Sequence, residues 1–191
     1  GRRRTRGRPL DAADDDVFGV DPEFVYALRA AAAWLEFHAN LEGFDAGETP
    51  WSHPIFERLE AQGRANRFPQ LLHSDNADLT AFIPVDLDDV LLIEDEDDND
   101  HGLSIGSLPR LEAELEQLRP LLGLEAGVEA NIEDVVFDPE VDAKAGPRFG
   151  WLVFANRLAE AKRRSLPLVM TLENEDDDDD DDEPAREPTL D

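Results

Sequence analysis

Residues 21–42, DPEFVYALRAAAAWLEFHANLE, decide the fold class. Asp21 suits an N-cap, and Pro22 suits the first helical position, where its missing N–H leaves no bond unmade. Val20 and Val25 are placed to staple across that terminus. Phe24, Leu28, Ala31 and Leu35 recur at helical spacing, and Trp34, Phe37 and Leu41 add a second apolar stripe. Two stripes predict a helix that meets its neighbours over a wide arc and stops at Gly43. His38 beside them reads as a core or boundary histidine.

Working outward, Pro54 to Gln62 predicts a shorter helix, capped by Ser52 or His53 and ended by Gly63. Trp51, Ile55, Phe56 and Leu59 are its apolar contribution. Phe68 to Asp75 then leads into a loop. Thr80–Val85 and Val90–Ile93 read as short strands around turn residues Asp86 to Asp89. Ser107 opens another helix, with Leu111, Leu115, Leu118 and Leu122 along it, Pro120 in its last turn and Gly123 at its end. Ile132 to Phe137 is open between strand and helix. Phe149 to Arg164 predicts a final helix whose last turn carries Lys162, Arg163 and Arg164, favourable at the negative helix end. Leu166 to Leu172 reads as a short strand or packed tail. The expectation is α+β: one helix-predominant domain over residues 17–172, a few short strands, and disordered ends at 1–16 and 173–191.

Charge dominates the composition. The chain has 191 residues and a formal net charge of −28. Much of it lies in three runs: Asp11 with Asp14–Asp16, Glu94–Asp100, and Glu173–Glu183 with seven consecutive aspartates. Such runs cannot be buried, because like charges repel and too few cations exist to pair them. The body outside the runs and termini still keeps a net of roughly −12, an excess that speaks against contact with nucleic-acid phosphates or an anionic membrane. At 41% hydrophobic residues one sizeable core can form, and no apolar run of about 18 residues marks a membrane span. The chain has no cysteine, which removes disulfides, thiolate catalysis and Cys-type zinc sites and leaves a cytoplasmic location as the default. Arginine far outnumbers lysine, as in proteins from GC-rich genomes; adaptation to high salt is the other reading. The arginine arm GRRRTRGR reads as a linker remnant or a weak polyanion-binding arm.

Chemical motifs are sparse. An EF-hand needs Gly at position 6 and Glu at position 12. Counting from Asp97 gives Gly102 at position 6 but Leu108 at position 12; counting from Asp95 fails at both. The acidic loop at 94–101 therefore reads as solvated, with at most diffuse cation binding. His73, Ser74, Asp75 and Asp78 are the one place where a histidine, a hydroxyl and carboxylates crowd together. A metal there would need further ligands such as His53 or His101. A triad needs convergence in space, and neighbours in sequence do not supply it. No nucleophile elbow or glycine-rich phosphate loop is present. These four residues read first as a structural turn and second as a binding surface. No catalytic residue, metal ligand or cofactor is assigned.

The layout F-P-x-L-L-H-S-D, then aromatic-Pro-Val-Asp, then a leucine-rich helix, and the closing W-L-V-F-A-x-x-L-x-x-A with L-P-L after it, resembles small uncharacterised bacterial proteins with an HSD-C-x-G signature. That resemblance spans about Val17 to Leu172 and implies an immunity or accessory protein. Asn76-Ala77-Asp78 stands here where the signature has Cys, a spacer and Gly.

These readings lead to a non-enzymatic acidic interaction protein, of immunity type, that docks on a basic protein, with no nucleic acid and no membrane as partner. Its anchors would be exposed aromatics near the acidic loops, Trp51 or Phe82, together with His73, Ser74, Asp75 and Asp78. The alternatives are an acidic chaperone or nucleic-acid mimic acting through the polyaspartate tail, and a metal-dependent hydrolase using the His73–Asp75 region. The oligomeric state is left open.

Overall fold

The computed structural model describes residues 21–73, 79–94, 102–125 and 142–171. The expected ends at 1–16 and 173–191, the loop at 94–101 apart from Glu94, and Ile132 to Phe137 lie outside these residues. Among the described residues the fold is α+β, with four α-helices and one small four-stranded sheet.

Helix α1, Pro22–Phe37, starts where the sequence says it should: the Asp21 side chain accepts the Glu23 N–H at 2.9 Å, with Pro22 next to the cap. Ala30 to Ala33 are all buried, so the helix is covered over a wide arc. It ends at Phe37, before Gly43. His38 turns extended and stacks on Trp34 with ring centroids 4.0 Å apart, while the Trp34 indole donates to the Asn40 carbonyl. That turn lets Leu41 and Phe44 enter the core from the loop. A 3-10 turn, Pro50–Ser52, leads to α2, Ile55–Gln62, which stops at Gly63 with φ +86°, a left-handed cap that suits glycine.

The sheet comprises β1 (Leu79–Ile83), β2 (Leu91–Glu94), β3 (Gly102–Ser107) and β4 (Leu168–Thr171), in the order β2-β3-β1-β4. β1 and β3 run parallel, and the two outer pairings are antiparallel. β3 was not expected, since Gly-Leu-Ser-Ile-Gly-Ser lacks strand-forming bulk. One of its small residues, Gly106, answers a space requirement. A Cβ on Gly106 would lie 2.6 Å from the Phe82 ring and 2.9 Å from the Gln70 amide oxygen. Thr80, Phe82, Ser104 and Gly106 are buried, while Leu91 and Ile93 on β2 and Val169 on β4 are exposed.

Helix α3, Leu108–Leu121, is capped by Ser107 and carries Pro120 in its last turn. Helix α4, Ala145–Arg164, begins four residues earlier than the apolar pattern suggested, because Pro147 sits in its first turn. α4 packs closely on α1. A Cβ on Gly150 would collide with the Phe24 carbonyl oxygen and touch Leu28, so glycine is what permits the crossing. The Trp151 indole donates to the Leu115 carbonyl at 2.6 Å and ties α4 to α3. The core fills the space between these helices and the sheet, with Leu28, Leu35, Phe68, Phe82, Leu111, Leu118 and Leu152 among its buried members. No described helix is long and apolar enough to cross a membrane.

Candidate functional site

The segment from Asn66 to His73 runs between α1 and α3, and carboxylates from each helix hold it. Glu36 on α1 accepts the N–H groups of Asn66, Arg67 and Phe68 at 2.7–3.0 Å. Glu114 on α3 accepts those of Gln70 and Leu71, both at 2.9 Å. Arg67 donates back to the Leu35 carbonyl. Glu114 is buried, and burial pushes its carboxyl up to about 7, although the two backbone donors pull it down. Gln70 is fully buried and its oxygen accepts the Ser107 N–H at 2.6 Å, joining the segment to the start of α3; its amide nitrogen has no bond among the described residues.

His73 closes this seam. Its Nδ1 lies 2.7 Å from the Gln70 carbonyl and its Nε2 3.0 Å from the Thr80 hydroxyl. A carbonyl only accepts, so Nδ1 carries the proton and, in the neutral ring, Nε2 accepts from Thr80. Arg29 donates to the His73 carbonyl at 2.8 Å. The ring is therefore engaged on both edges and positions the strand that follows. Ser74, Asp75 and Asp78 lie outside the described residues. Of the further ligands considered for a metal, His101 also lies outside them. His53 accepts the Ile55 N–H at 3.1 Å on Nδ1, ahead of the N-cap residue Pro54, and bonds the Asp45 carbonyl through Nε2. Among the described residues no group of three or more His, Cys, Asp or Glu is placed to hold a metal ion.

The two aromatic candidates part company. Trp51 is 53% exposed, in the 3-10 turn between Glu48 and Glu57. Phe82 is 1% exposed and packs edge-on against His73. It is a core residue and cannot be an exposed anchor. The expectation failed because alternation along β1 sends Thr80 and Phe82 inward together.

Outside the seam, carboxylates face solvent. At the β1–β2 turn Arg110 donates to Asp86 and Asp88, each at 2.6 Å, and the bond to Asp86 raises the guanidinium above its ordinary value. On α4, Arg163, with Arg164 beside it, holds Glu160 down to about 2, and Lys162 bridges to Glu112 on α3. The cations of the α4 end are thus engaged locally. Glu42, Asp45, Glu48, Glu57 and Glu60 lie along the loop and α2 on either side of Trp51.

Glu36, Gln70, Arg110 and Glu114 were missed from the sequence. Glu114 did leave a signal: it falls three residues after Leu111, inside the apolar face of α3, where an ionisable group needs a partner.

No curated protein and no solved structure matches the chain. A family model described as "Putative DNA-mimic protein" matches residues 6–170. This overturns the expectation that nucleic acid has no part in the function. Negative charge excludes contact with phosphates, but it does not exclude a protein that binds them, and a DNA-mimic family points to a DNA-binding protein in place of an unspecified basic one. With most of its length matched, the chain belongs to the family described as "Putative DNA-mimic protein".

Proposed function

We propose that the protein occupies the DNA-binding surface of a DNA-binding protein and competes there with duplex DNA. The observation that carries this is the family match over residues 6–170 of a chain with net charge −28. The matched stretch holds 34 of the 46 acidic residues and 14 of the 18 basic ones, and it ends before Asp176–Asp182. The reading therefore puts mimicry in the matched part, with the aspartate tail as an accessory.

Duplex DNA presents one charge per about 1.7 Å of axis, and a protein that binds it gains by releasing the condensed counterions. Carboxylates held on a folded surface attract the same cationic groups and speed the encounter. Charge alone gives rate more than affinity, and a desolvated contact must add to it. Trp51, exposed among Glu48, Glu57 and Glu60, supplies such an anchor. The same reading keeps the protein in the cytoplasm, where its partner meets DNA.

The test uses the full chain as bait in a cell lysate, with elution by duplex DNA, followed by mobility-shift competition on the eluted protein. The chain should release labelled duplex from that protein, less effectively as salt rises, and a chain ending at residue 171 should do the same. Simultaneous binding of duplex and chain to the eluted protein would sink the proposal, as would a bait from which duplex elutes nothing.

A further inference from the structure

The sheet has a core face and an outer face. Thr80, Phe82 and Ser104 are buried on the core face, where α3 packs on β1 and β3 and α4 on β4, and Leu168 and Met170 lie against the core beside them. Alternation sends their neighbours to the outer face. The strand register lays that face out in rows. Leu91, Ile105, Ala81 and Val169 stand side by side across β2, β3, β1 and β4, and Ile93, Leu103, Leu79 and Thr171 form the next row. All but Thr171 are apolar, and none belongs to the hydrophobic core of the described residues. Leu91, Ile93 and Val169 are 52%, 51% and 51% exposed, and the apolar residues between them are half-buried. A contiguous apolar face of this kind marks an interaction surface.

Shape and charge both select a second copy as the occupant. The residues that protrude most stand at opposite edges of the sheet, on β2 and β4. A second copy turned about a two-fold axis parallel to the strands lays its β4 over β2 and its β1 over β3. Leu91 then meets the second copy's Val169, and Ile105 meets its Ala81, a large side chain against a small one. Each contact occurs twice, as in any two-fold pair. Two sheets packed face to face in near alignment are the ordinary geometry of a sandwich. The charges follow the same operation. The turn with Asp86, Asp88 and Asp89 lies at the β2 corner of one end of the sheet, and only Arg110 bridges it. At the β4 corner of that end, α4 finishes in Arg163 and Arg164 just before the strand begins. The two-fold sets each copy's aspartates beside the other's arginines, whereas turning the second copy end over end separates them. The Arg163 side chain is 68% exposed, so its pair with Glu160 is exchanged for a new one at little cost.

We infer that the protein pairs with a second copy of itself through the outer face of the sheet, about a two-fold axis parallel to the strands. The inference does not depend on the DNA-mimic reading. The helices lie on the outside of such a pair, which doubles the acidic charge carried by one particle. Strands about 4.8 Å apart make the face about 19 Å wide. The pair then buries on the order of 1,000 Å², near the lower bound for a specific interface, so the association should be reversible.

Sedimentation velocity of the full chain over a concentration series should show a monomer shifting to a dimer. A monomer at every concentration would overturn the inference, since the face is then covered by the chain itself or by nothing. The double variant Leu91→Gln/Val169→Gln changes two exposed positions and leaves the charge as it is. Its circular dichroism should match the wild type, and its dimer dissociation constant should rise about tenfold or more. A dimer that the double variant leaves unchanged would place the contact elsewhere and overturn the inference. Orientation is read by cross-linking, because the chain has no cysteine of its own. Chains carrying Leu91→Cys are mixed with tagged chains carrying Val169→Cys and treated with a short bismaleimide. The product joining the two kinds of chain should dominate, because β2 of one copy lies over β4 of the other. Products joining like chains in its place would overturn the two-fold parallel to the strands.

Discussion

The seam around Glu114 and the rim around β2 use the same residue types for opposite ends. In the seam, Glu36 and Glu114 turn toward backbone N–H groups and fix a loop between two helices. At the rim, Asp86, Asp88 and Asp89 face water, and Arg110 reaches up to two of them. The difference lies in the neighbours. Glu114 sits in a leucine face and must be satisfied by what the core presents. The aspartates sit in a turn where water competes for every bond, so their pairs contribute little to stability and remain available to a partner. A count of acidic residues therefore overstates the surface charge, because part of it is internal scaffolding.

The comparison breaks most sharply at Glu114. Glu114→Ala leaves the Gln70 and Leu71 N–H groups buried without an acceptor, at about 1–3 kcal/mol each. Urea unfolding should show a loss of about 3 kcal/mol. The same carboxyl gives a pH signature. Burial raises its folded pKa from 4.5 to about 7, so the folded state holds the proton more tightly than the unfolded chain does. Its contribution is fully present below about pH 4.5 and is lost as pH rises through about 7. The wild type should lose up to about 3 kcal/mol across that window relative to Glu114→Gln, which removes the titration, as measured by urea unfolding at each pH. A flat difference between the two would mean that the carboxyl stays ionised, as its two donors favour.

Smaller effects belong to the rim. Arg110→Ala should cost less than about 1 kcal/mol, since both bridges are exposed, and it should strengthen competition with DNA by freeing Asp86 and Asp88. Asp88→Asn with Asp89→Asn should leave thermal stability within about 0.5 kcal/mol and reduce the salt dependence of partner binding in mobility-shift competition. Trp51→Ala should change stability least of all, and it should speed partner dissociation if the aromatic is the anchor proposed above.

Much of the fold was legible in local pattern. The caps at Asp21 and Ser107, the stops at Gly63 and Gly123, and the apolar stripes of α1, α3 and α4 all follow from short-range rules. β3 was not legible, because the demand for glycine at Gly106 comes from Phe82 and Gln70, far away in sequence. The early end of α1 was hidden for the same reason: a Trp34–His38 stack overrides the propensity of the residues that follow. His73 drew notice in the sequence for its neighbours Ser74 and Asp75, but its bonds to Gln70 and Thr80 give it a positioning role that those neighbours did not announce.

The sequence by itself determined the helices, several of their caps and stops, and the excess of negative charge, because caps, periodicity and formal charge are properties of residues within a turn or two of one another. Only the tertiary structure decided which carboxylates serve the fold and which face solvent, that Trp51 is open while Phe82 is shut, and that Leu91, Leu92 and Ile93 are exposed on the outermost of the described strands. Burial and hydrogen bonding between distant segments set those outcomes, and neither is encoded in a local pattern.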